Sequence, residues 1–309
     1  MTFNGVSVSV VIPTHNRVDT LSRAIDSIIN QTIPPQEILV VDDASDLDTK
    51  KLVDRYSHCK VRYILNTIGR GASSSRNLGT KEACGNFVAF LDDDDEWLPK
   101  KLEEQLNEIK DKPNIDAVFT RILVRYEELG IEYSTNAENR VNIIKSILVE
   151  NFLGATISAM INRQRLIDLG GFDPNFPARE EYDLWIRLIA TGATISVVEK
   201  PLAISYRSFL RGDRISSNIN NYILANEMMD RKHDALIHNH LTDNEQRERL
   251  DKQFNFIAAQ ALSIGDRKNS FFYYLRSMII SFSIKKLVLA LMSLVSPRFL
   301  ILLRSQQKV

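Results

Sequence analysis

Four consecutive aspartates, Asp92, Asp93, Asp94 and Asp95, follow the apolar stretch "NFVAFL". Each like-charged pair at about 4 Å costs roughly 1 kcal/mol in water and about 4 kcal/mol at a partly buried site. Such a run needs either a counter-charge or full solvation. In an extended segment successive side chains face opposite ways, so Asp92 and Asp94 face together and Asp93 faces away. Two carboxylates in this D-x-D spacing offer hard oxygen ligands to Mg²⁺ or Mn²⁺. These cations favour one or two carboxylates, with substrate phosphates completing the shell. A solvated acidic turn has the same spelling, and the run alone does not separate the two. A second acidic pair, Asp42 and Asp43, closes "EILVVDD". Its carboxylates can accept hydrogen bonds from a ribose hydroxyl or a base N–H. Neither a P-loop nor G-x-G-x-x-G is present to cradle a phosphate.

The elements that must position these acids alternate. β-branched apolar runs at 6–14, 37–43, 61–65 and 86–92 read as strands. Helical spacing at 17–31, 49–56, 71–84 and 98–111 reads as helices between and after them. This rhythm predicts right-handed βαβ units and a mostly parallel sheet covered on both faces. Ligands bind such sheets at the carboxyl ends of the strands, which puts both acidic clusters on one rim. Beyond residue 112 the pattern mixes. Strands are expected at 116–128 and 154–162, with two short ones in 193–207 joined at Lys200–Pro201. Helices are expected at 140–151 and 180–192, and nearly everything from 218 onward reads as helical, as 218–240, 243–264, 267–282 and 285–304. The expected division is 1–215 for an α/β ligand-binding domain and 216–309 for a helical region.

The segments "VSVVIPTHNRVDTLSRAIDSIINQT", "EILVVDDAS", "GASSSRNLGTKEACGNFVAFLDDDDEWLPKKLEEQ" and "GGFDPNF…EEYDLWIRLIATG" occur in this order. As a set, over roughly residues 6–207, they resemble family 2 glycosyltransferases of the GT-A type. The resemblance implies an α/β fold, Rossmann-like with a mostly parallel central sheet flanked by helices. It also implies an inverting transfer of a sugar from a nucleotide-sugar, usually UDP-linked, to a hydroxyl of a glycan or lipid-linked acceptor, with Mn²⁺ or Mg²⁺ as cofactor. Pro13, Thr14 and Asn16 then correspond to the loop lining the nucleotide. Asp43 corresponds to the base-reading carboxylate, with Asp42 beside it. Arg76 and Asn77 match an "RN" pair near nucleotide and sugar. Asp92 and Asp94 match the metal-binding D-x-D, and Asp93 a ribose or sugar contact.

The family's catalytic base is the Asp of an "ED" pair ahead of "DLWLRL". Here the order is Glu180, Glu181, Tyr182, Asp183, so Glu181 replaces that Asp. Glu181 is the expected base, one methylene longer, with Asp183 and Glu180 behind it. A displacement of about 1 Å can cost about 10²-fold in rate, so a catalytically impaired nucleotide-sugar-binding protein is the alternative. Acids in a first helical turn are also favoured by the helix dipole alone. "YRSFLRGDRIS" resembles the family's segment after the last core strand, where Arg207, Arg211 and Arg214 could clamp a diphosphate. The histidine often found there is missing. Trp185 is expected in the core. A nucleotidyltransferase is disfavoured, since no glycine- and arginine-rich phosphate loop lies near the N-terminus.

Composition narrows the partners. The 309 residues are 44% hydrophobic and 25% charged, and 39 basic residues balance 39 acidic ones, so no global field selects nucleic acid. The balance hides an asymmetry: from Arg267 to Val309 there are eight basic residues and no acidic one. Two apolar stretches there, 278–284 and 287–297, are each too short to span a bilayer. This basic, aromatic-flanked region reads either as an anionic-membrane contact over 267–309 or as a hairpin packed on the catalytic domain or a second subunit. The charge favours the membrane. Cys59 and Cys84 form no metal spacing and are expected to pack. His233, His238 and His240 form no compact ligand set. The N-terminus reads as a strand rather than a signal peptide. The expected location is cytoplasmic, peripheral on the inner face of the plasma membrane.

Overall fold

The computed structural model describes residues 5–46, 48–67, 69, 71–112, 114–208 and 218–295. The chain opens with β1 (Val8–Thr14), α1 (Val18–Ile29), β2 (Glu37–Asp42), α2 (Thr49–Asp54), β3 (Val61–Leu65), α3 (Gly71–Glu82) and β4 (Phe87–Phe90). A two-residue strand β5 (Glu96–Trp97), α4 (Lys101–Asp111), β6 (Ala117–Tyr126), β7 (Ile131–Ser134) and α5 (Ile143–Val149) come next. The sheet part is completed by β8 (Met160–Asn162), α6 (Arg163–Asp168), α7 (Glu180–Ala190) and β9 (Ile195–Arg207). Five helices finish the described chain: α8 (Ile219–Lys232), α9 (Asp234–His240), α10 (Asp243–Ser263), α11 (Arg267–Ser281) and α12 (Ile284–Val295).

The sheet runs β3-β2-β1-β4-β8-β6-β9-β5, with β7 paired to β6. Its first four strands are parallel, as the βαβ rhythm requires, so β1, β2 and β4 end on the same rim. Beyond β4 the sheet is mixed: β8 is antiparallel to both its neighbours, while β9 runs parallel to β6. Residues 193–207, expected as two short strands, form the single strand β9. Its register against β6 slips between Thr120 and Ile122, opposite Glu199–Leu202. The proline that suggested a break sits at this irregularity, the kind of strand position where proline is tolerated. The stretch expected as a strand at 154–162 is a 3₁₀ turn, Thr156–Ser158, followed by β8.

Alternation along the strands feeds two apolar layers. On β1, Val10 and Ile12 pack with α1 and α4 residues such as Leu21 and Leu102, while Val11 faces the other way with Trp185. β2 splits in the same manner, Ile38 and Val40 against Leu39 and Val41. α3 lies close on this second layer because Gly79 has no side chain; a Cβ there would overlap Val11 and crowd Val41. The second layer continues without a break into the C-terminal helices, taking in Ile219, Tyr222, Met229, Ile257, Tyr274 and Ala290. The expected boundary at 215–216 lies outside the described residues. The segment expected as one helix over 218–240 divides at His233, which ends α8 and precedes α9.

Trp185 is fully buried, edge-on to Phe119 at 5.0 Å, with Nε1 donating to the Gly154 carbonyl at 3.0 Å. Cys59 packs partly against the core, but Cys84 is exposed beyond the end of α3 and does not pack as expected.

Candidate active site

The rim predicted from strand ends is present. Thr14, the last residue of β1, donates its hydroxyl to Asp93 Oδ2 at 2.7 Å, and His15 Nδ1 hydrogen-bonds the Asp43 carbonyl at 2.8 Å. The end of β1 is therefore tied to both acidic turns. Asn16 takes the left-handed conformation (φ 53°), which Asn tolerates. From there its side-chain oxygen accepts from the Asp46 N–H at 2.8 Å, and its own N–H donates to the Ser45 hydroxyl oxygen at 3.0 Å.

The aspartate run is a turn rather than an extended segment: the Asp95 N–H donates to the Asp92 carbonyl at 3.2 Å. The alternation expected for an extended chain holds all the same. Asp92 and Asp94 are partly exposed, while Asp93 and Asp95 are buried. Two devices relieve the repulsion. Arginines neutralise the outward pair: Arg76 Nη2 donates to Asp92 at 2.7 Å, and Arg17 pairs with Asp94 while lying 3.6 Å from Asp93. The inward pair binds protons more tightly. Burial and the Asp94 charge push the Asp93 carboxyl up to about 7, against the pull of Arg17 and Thr14. Burial and the same neighbours push Asp95 well above the carboxylate range, although Arg207 and the Tyr206 N–H, 2.9 Å away, stabilise its anion.

These groups line one cleft of about 1290 Å³, which also contains Pro13, Asn16, Asp43, Glu180, Glu181 and Arg207. Asp43 is held at the start of α3. It accepts from Asn66 Nδ2 at 2.8 Å, the Ser75 hydroxyl at 3.0 Å and the Gly71 N–H at 2.8 Å. Across the cleft, α7 begins at Glu180 after Arg179, which is in the left-handed region (φ 61°) and buried over the rings of Tyr182 and Phe256. Glu180 spends an oxygen on Arg76 Nη1 at 2.8 Å. Glu181 receives Asn151 Nδ2 at 3.2 Å, and burial together with the Glu180 charge pushes its carboxyl up to about 7.

Three expected site residues face away from the cleft. Asp42 is 2% exposed and uses one oxygen for the Ser45 N–H and hydroxyl, the other for the Tyr63 hydroxyl at 2.8 Å. Asn77 closes a two-bond latch on Phe172: Nδ2 donates to its carbonyl at 2.7 Å, and Oδ1 accepts from its N–H at 2.8 Å. A Cβ at Gly171 (φ 73°) would overlap that amide, which accounts for the second glycine of "GGF". Asp183 is fully buried among His233, Arg187 and Lys232. Burial pushes its carboxyl up, but the His233 hydrogen bond and the Arg187 and Lys232 charges outweigh this and hold it near 2. It is an anion that fastens α7 to α8.

Two residues that position the acids were not singled out in the sequence. Arg17 ends "PTHNR", and its place in that segment is what marks it. Asn151 follows α5, and nothing local marks it. His233 is buried against Asp183, and His238 and His240 lie exposed on α9. Arg211 and Arg214 lie outside the described residues. Among the described residues no group of three or more His, Cys, Asp or Glu side chains is placed to hold a metal unaided.

A sequence profile of Glycosyl transferase family 2 matches residues 9–172. An uncharacterized glycosyltransferase of Haemophilus influenzae is 26% identical over 300 residues, spanning 96% of this chain and 98% of that protein. The Escherichia coli UDP-Glc:alpha-D-GlcNAc-diphosphoundecaprenol beta-1,3-glucosyltransferase WfgD is 29% identical over 68% of this chain and 80% of its own length. The Campylobacter jejuni GalNAc(5)-diNAcBac-PP-undecaprenol beta-1,3-glucosyltransferase is 34% identical over 59% of each chain. Among solved structures, S. aureus TarS 1-349 in complex with UDP-GlcNAc superposes with a TM-score of 0.59 at 17% identity, covering 98% of this chain and 92% of that one. With the profile spanning more than half of the chain and the sheet order, rim and helical C-terminal region in place, the chain belongs to glycosyl transferase family 2 and is a glycosyltransferase of the GT-A fold.

Proposed function

We propose that the cleft moves a sugar from a UDP-sugar to a hydroxyl of a lipid-linked glycan by a single inverting displacement, with Glu181 as general base and Asp92 and Asp94 holding a divalent cation. The observation that carries this reading is the position of Arg76. One buried guanidinium spans Asp92 and Glu180, which fixes the acidic turn beside the start of α7 and sets Glu181 across the same cleft from the D-x-D carboxylates.

The donor set suits Mg²⁺ or Mn²⁺. Asp92 and Asp94 are the outward carboxylates of the turn, and a cation that takes two of them still needs diphosphate oxygens or water to complete its shell. When bound, the cation supplies charge neutralisation for the leaving diphosphate. The chain's own residues do the rest. Asp43, anchored on three donors, presents its carboxylate beside the nucleotide loop of Pro13, Thr14 and Asn16. Asp93 meets that loop through the Thr14 hydroxyl, 2.7 Å from its Oδ2, as a ribose or sugar contact. Arg207, beside Asp95, adds positive charge where a diphosphate would lie. Glu181 takes the acceptor proton as the acceptor oxygen bonds to the anomeric carbon. The bond from that carbon to the diphosphate breaks, and UDP leaves with the electron pair.

The choice of a UDP-sugar and a lipid-linked acceptor draws on the relatives: the E. coli enzyme is named for UDP-Glc and a diphosphoundecaprenol acceptor, the C. jejuni enzyme for a PP-undecaprenol acceptor. Such acceptors put the working protein at the cytoplasmic face of a membrane. Residues 1–215 act as the catalytic unit, and the helices within 218–295 add a wall of the cleft through Tyr222, Gln253 and Phe256.

The test is calorimetric titration of UDP with Mn²⁺ and with EDTA. UDP should bind with the cation and lose most affinity in EDTA, and Asp94→Ala should abolish the cation-dependent part. Equal affinity in EDTA would reject the metal assignment. Cation-dependent UDP binding without turnover, for any UDP-sugar and acceptor offered, would favour the catalytically impaired binding protein.

A further inference from the structure

The hairpin of α11 and α12 has an inner face that belongs to the core and an outer face with no apolar partner among the described residues. On α12, Ala290 and Ser293 are buried, Leu289 and Met292 pack toward Tyr126 and Leu262, and Lys286 pairs with Asp251. These positions follow helical spacing. The opposite side carries Ile284, Leu287, Val288, Leu291, Leu294 and Val295, between 37% and 80% exposed. The outer row of α11 continues it with Phe272 and Ile279, and Phe282 at the turn is 88% exposed. Of the fourteen large apolar side chains exposed among the described residues, nine lie in this hairpin. Such a concentration marks an interaction surface rather than scatter.

The charge on the hairpin selects the occupant. Residues 267–295 contain Arg267, Lys268, Arg276, Lys285 and Lys286 and no acid. Lys268 and Arg276 stand on the same helical row as Phe272 and Ile279, and Lys285 adjoins Ile284. A second copy meeting this face through a two-fold axis would set cation against cation. An anionic lipid surface complements it, since basic side chains at headgroup level and apolar rows just below them are what an interfacial helix presents. Over the described residues α12 covers about 18 Å against a hydrocarbon core of roughly 30 Å, and among those residues no helix is long and apolar enough to span.

We propose that the outer face of the α11–α12 hairpin docks on an anionic membrane surface and sets the mouth of the cleft at the headgroups. The link to the cleft is direct, because Ser283, Lys285, Lys286 and Leu289 of the same hairpin line it. Docking through the outer rows brings the inner wall of the hairpin, and with it the cleft, to the height at which a diphosphate-linked acceptor leaves the bilayer. The orienting role rests on the lipid-linked acceptor proposed above; the docking itself does not.

The test uses the full chain, without donor or acceptor, in flotation with vesicles of phosphatidylcholine alone or with phosphatidylglycerol added. Binding is expected only with the anionic lipid, weakening as salt rises. Ile284→Glu combined with Leu291→Glu should reduce binding more than about tenfold, and Lys268→Ala about fivefold. Thermal stability and UDP affinity should be unchanged in all of them, because these side chains are exposed and outside the cleft. Wild-type protein that ignores anionic vesicles at low salt would overturn the proposal. So would a double variant that floats normally but changes from dimer to monomer, since the face would then be a contact between copies. If a separate assay with donor shows transfer to a soluble glycan but none to a lipid-linked one, vesicle binding leaves the docking face standing and only the acceptor assignment is rejected.

Discussion

At the scale of single residues, Glu181 carries the sharpest consequences. Its carboxyl is pushed up to about 7 from an ordinary 4.5 by burial and by Glu180, so it is fully available as a base only above neutrality. We expect kcat/KM to rise with pH through about 7, and the rising limb to vanish in Glu181→Gln, whose turnover should fall about 10²- to 10⁴-fold with UDP affinity kept. Glu181→Asp keeps a proton acceptor but shortens its reach by about 1 Å. It should fall between wild type and Glu181→Gln, near a 10²-fold loss. The same shift has a stability cost of definite sign. A carboxyl that binds its proton more tightly when folded favours the folded state most below about 4.5; that contribution is lost as pH rises to about 7 and stays lost above. Glu181→Gln should therefore be more stable than wild type above pH ~7, on the order of 3 kcal/mol, and indistinguishable below pH ~4.5. Thermal melts at the two pH values check this, and equal melting temperatures at both would contradict it.

At the scale of elements, α3 holds the site together. Gly79 lets it lie against β1 and β2, Asn77 latches it to the loop before α7, and Arg76 joins the acidic turn to the start of α7. Arg187 of α7 completes the brace by donating to the carbonyls of Leu169 and Gly171, both at 2.7 Å. Asn77→Ala leaves the N–H and carbonyl of Phe172 without these partners. It should cost about 2 to 3 kcal/mol of stability. It should also lower kcat more than UDP affinity, because the base lies on the element that loosens and Asp43 does not. Chemical denaturation and steady-state kinetics on one variant separate the two effects. Unchanged kcat would mean that α7 is held elsewhere.

For the whole molecule, the continuous core makes the C-terminal helices part of the catalytic body. Tyr274 and Ala290 are fully buried in the same apolar layer as Phe119 and Trp185. Unfolding should be a single transition in which tryptophan fluorescence, from Trp97 and Trp185 in the sheet layers, and far-UV circular dichroism, weighted to the helices, coincide. Two separated transitions would show that residues 218–295 fold apart from the sheet. It follows that truncation after Gly265 exposes core, so surface substitutions on α12 are the better probe of its outer face.

Local periodicity was legible because it depends on neighbours up to four residues away. The βαβ rhythm, the rim carrying both acidic turns, the outward pairing of Asp92 with Asp94, the buried Trp185 and the unbalanced charge after Arg267 can all be read along the chain. The partners of polar groups cannot, since long-range contacts assign them. Arg76 meets Glu180 across 104 residues, Thr14 meets Asp93 across 79, and Asn151 meets Glu181 across 30. Contacts of the same kind, with Tyr63, Phe172 and His233, turned Asp42, Asn77 and Asp183 into fasteners, and others brought Arg17 to Asp94 and Asn151 to Glu181. An acid at a strand end is determined by sequence; whether it faces a ligand or a latch is decided by which buried donors the tertiary fold brings within about 3 Å, because an unpaired buried charge costs more than any local preference can offset.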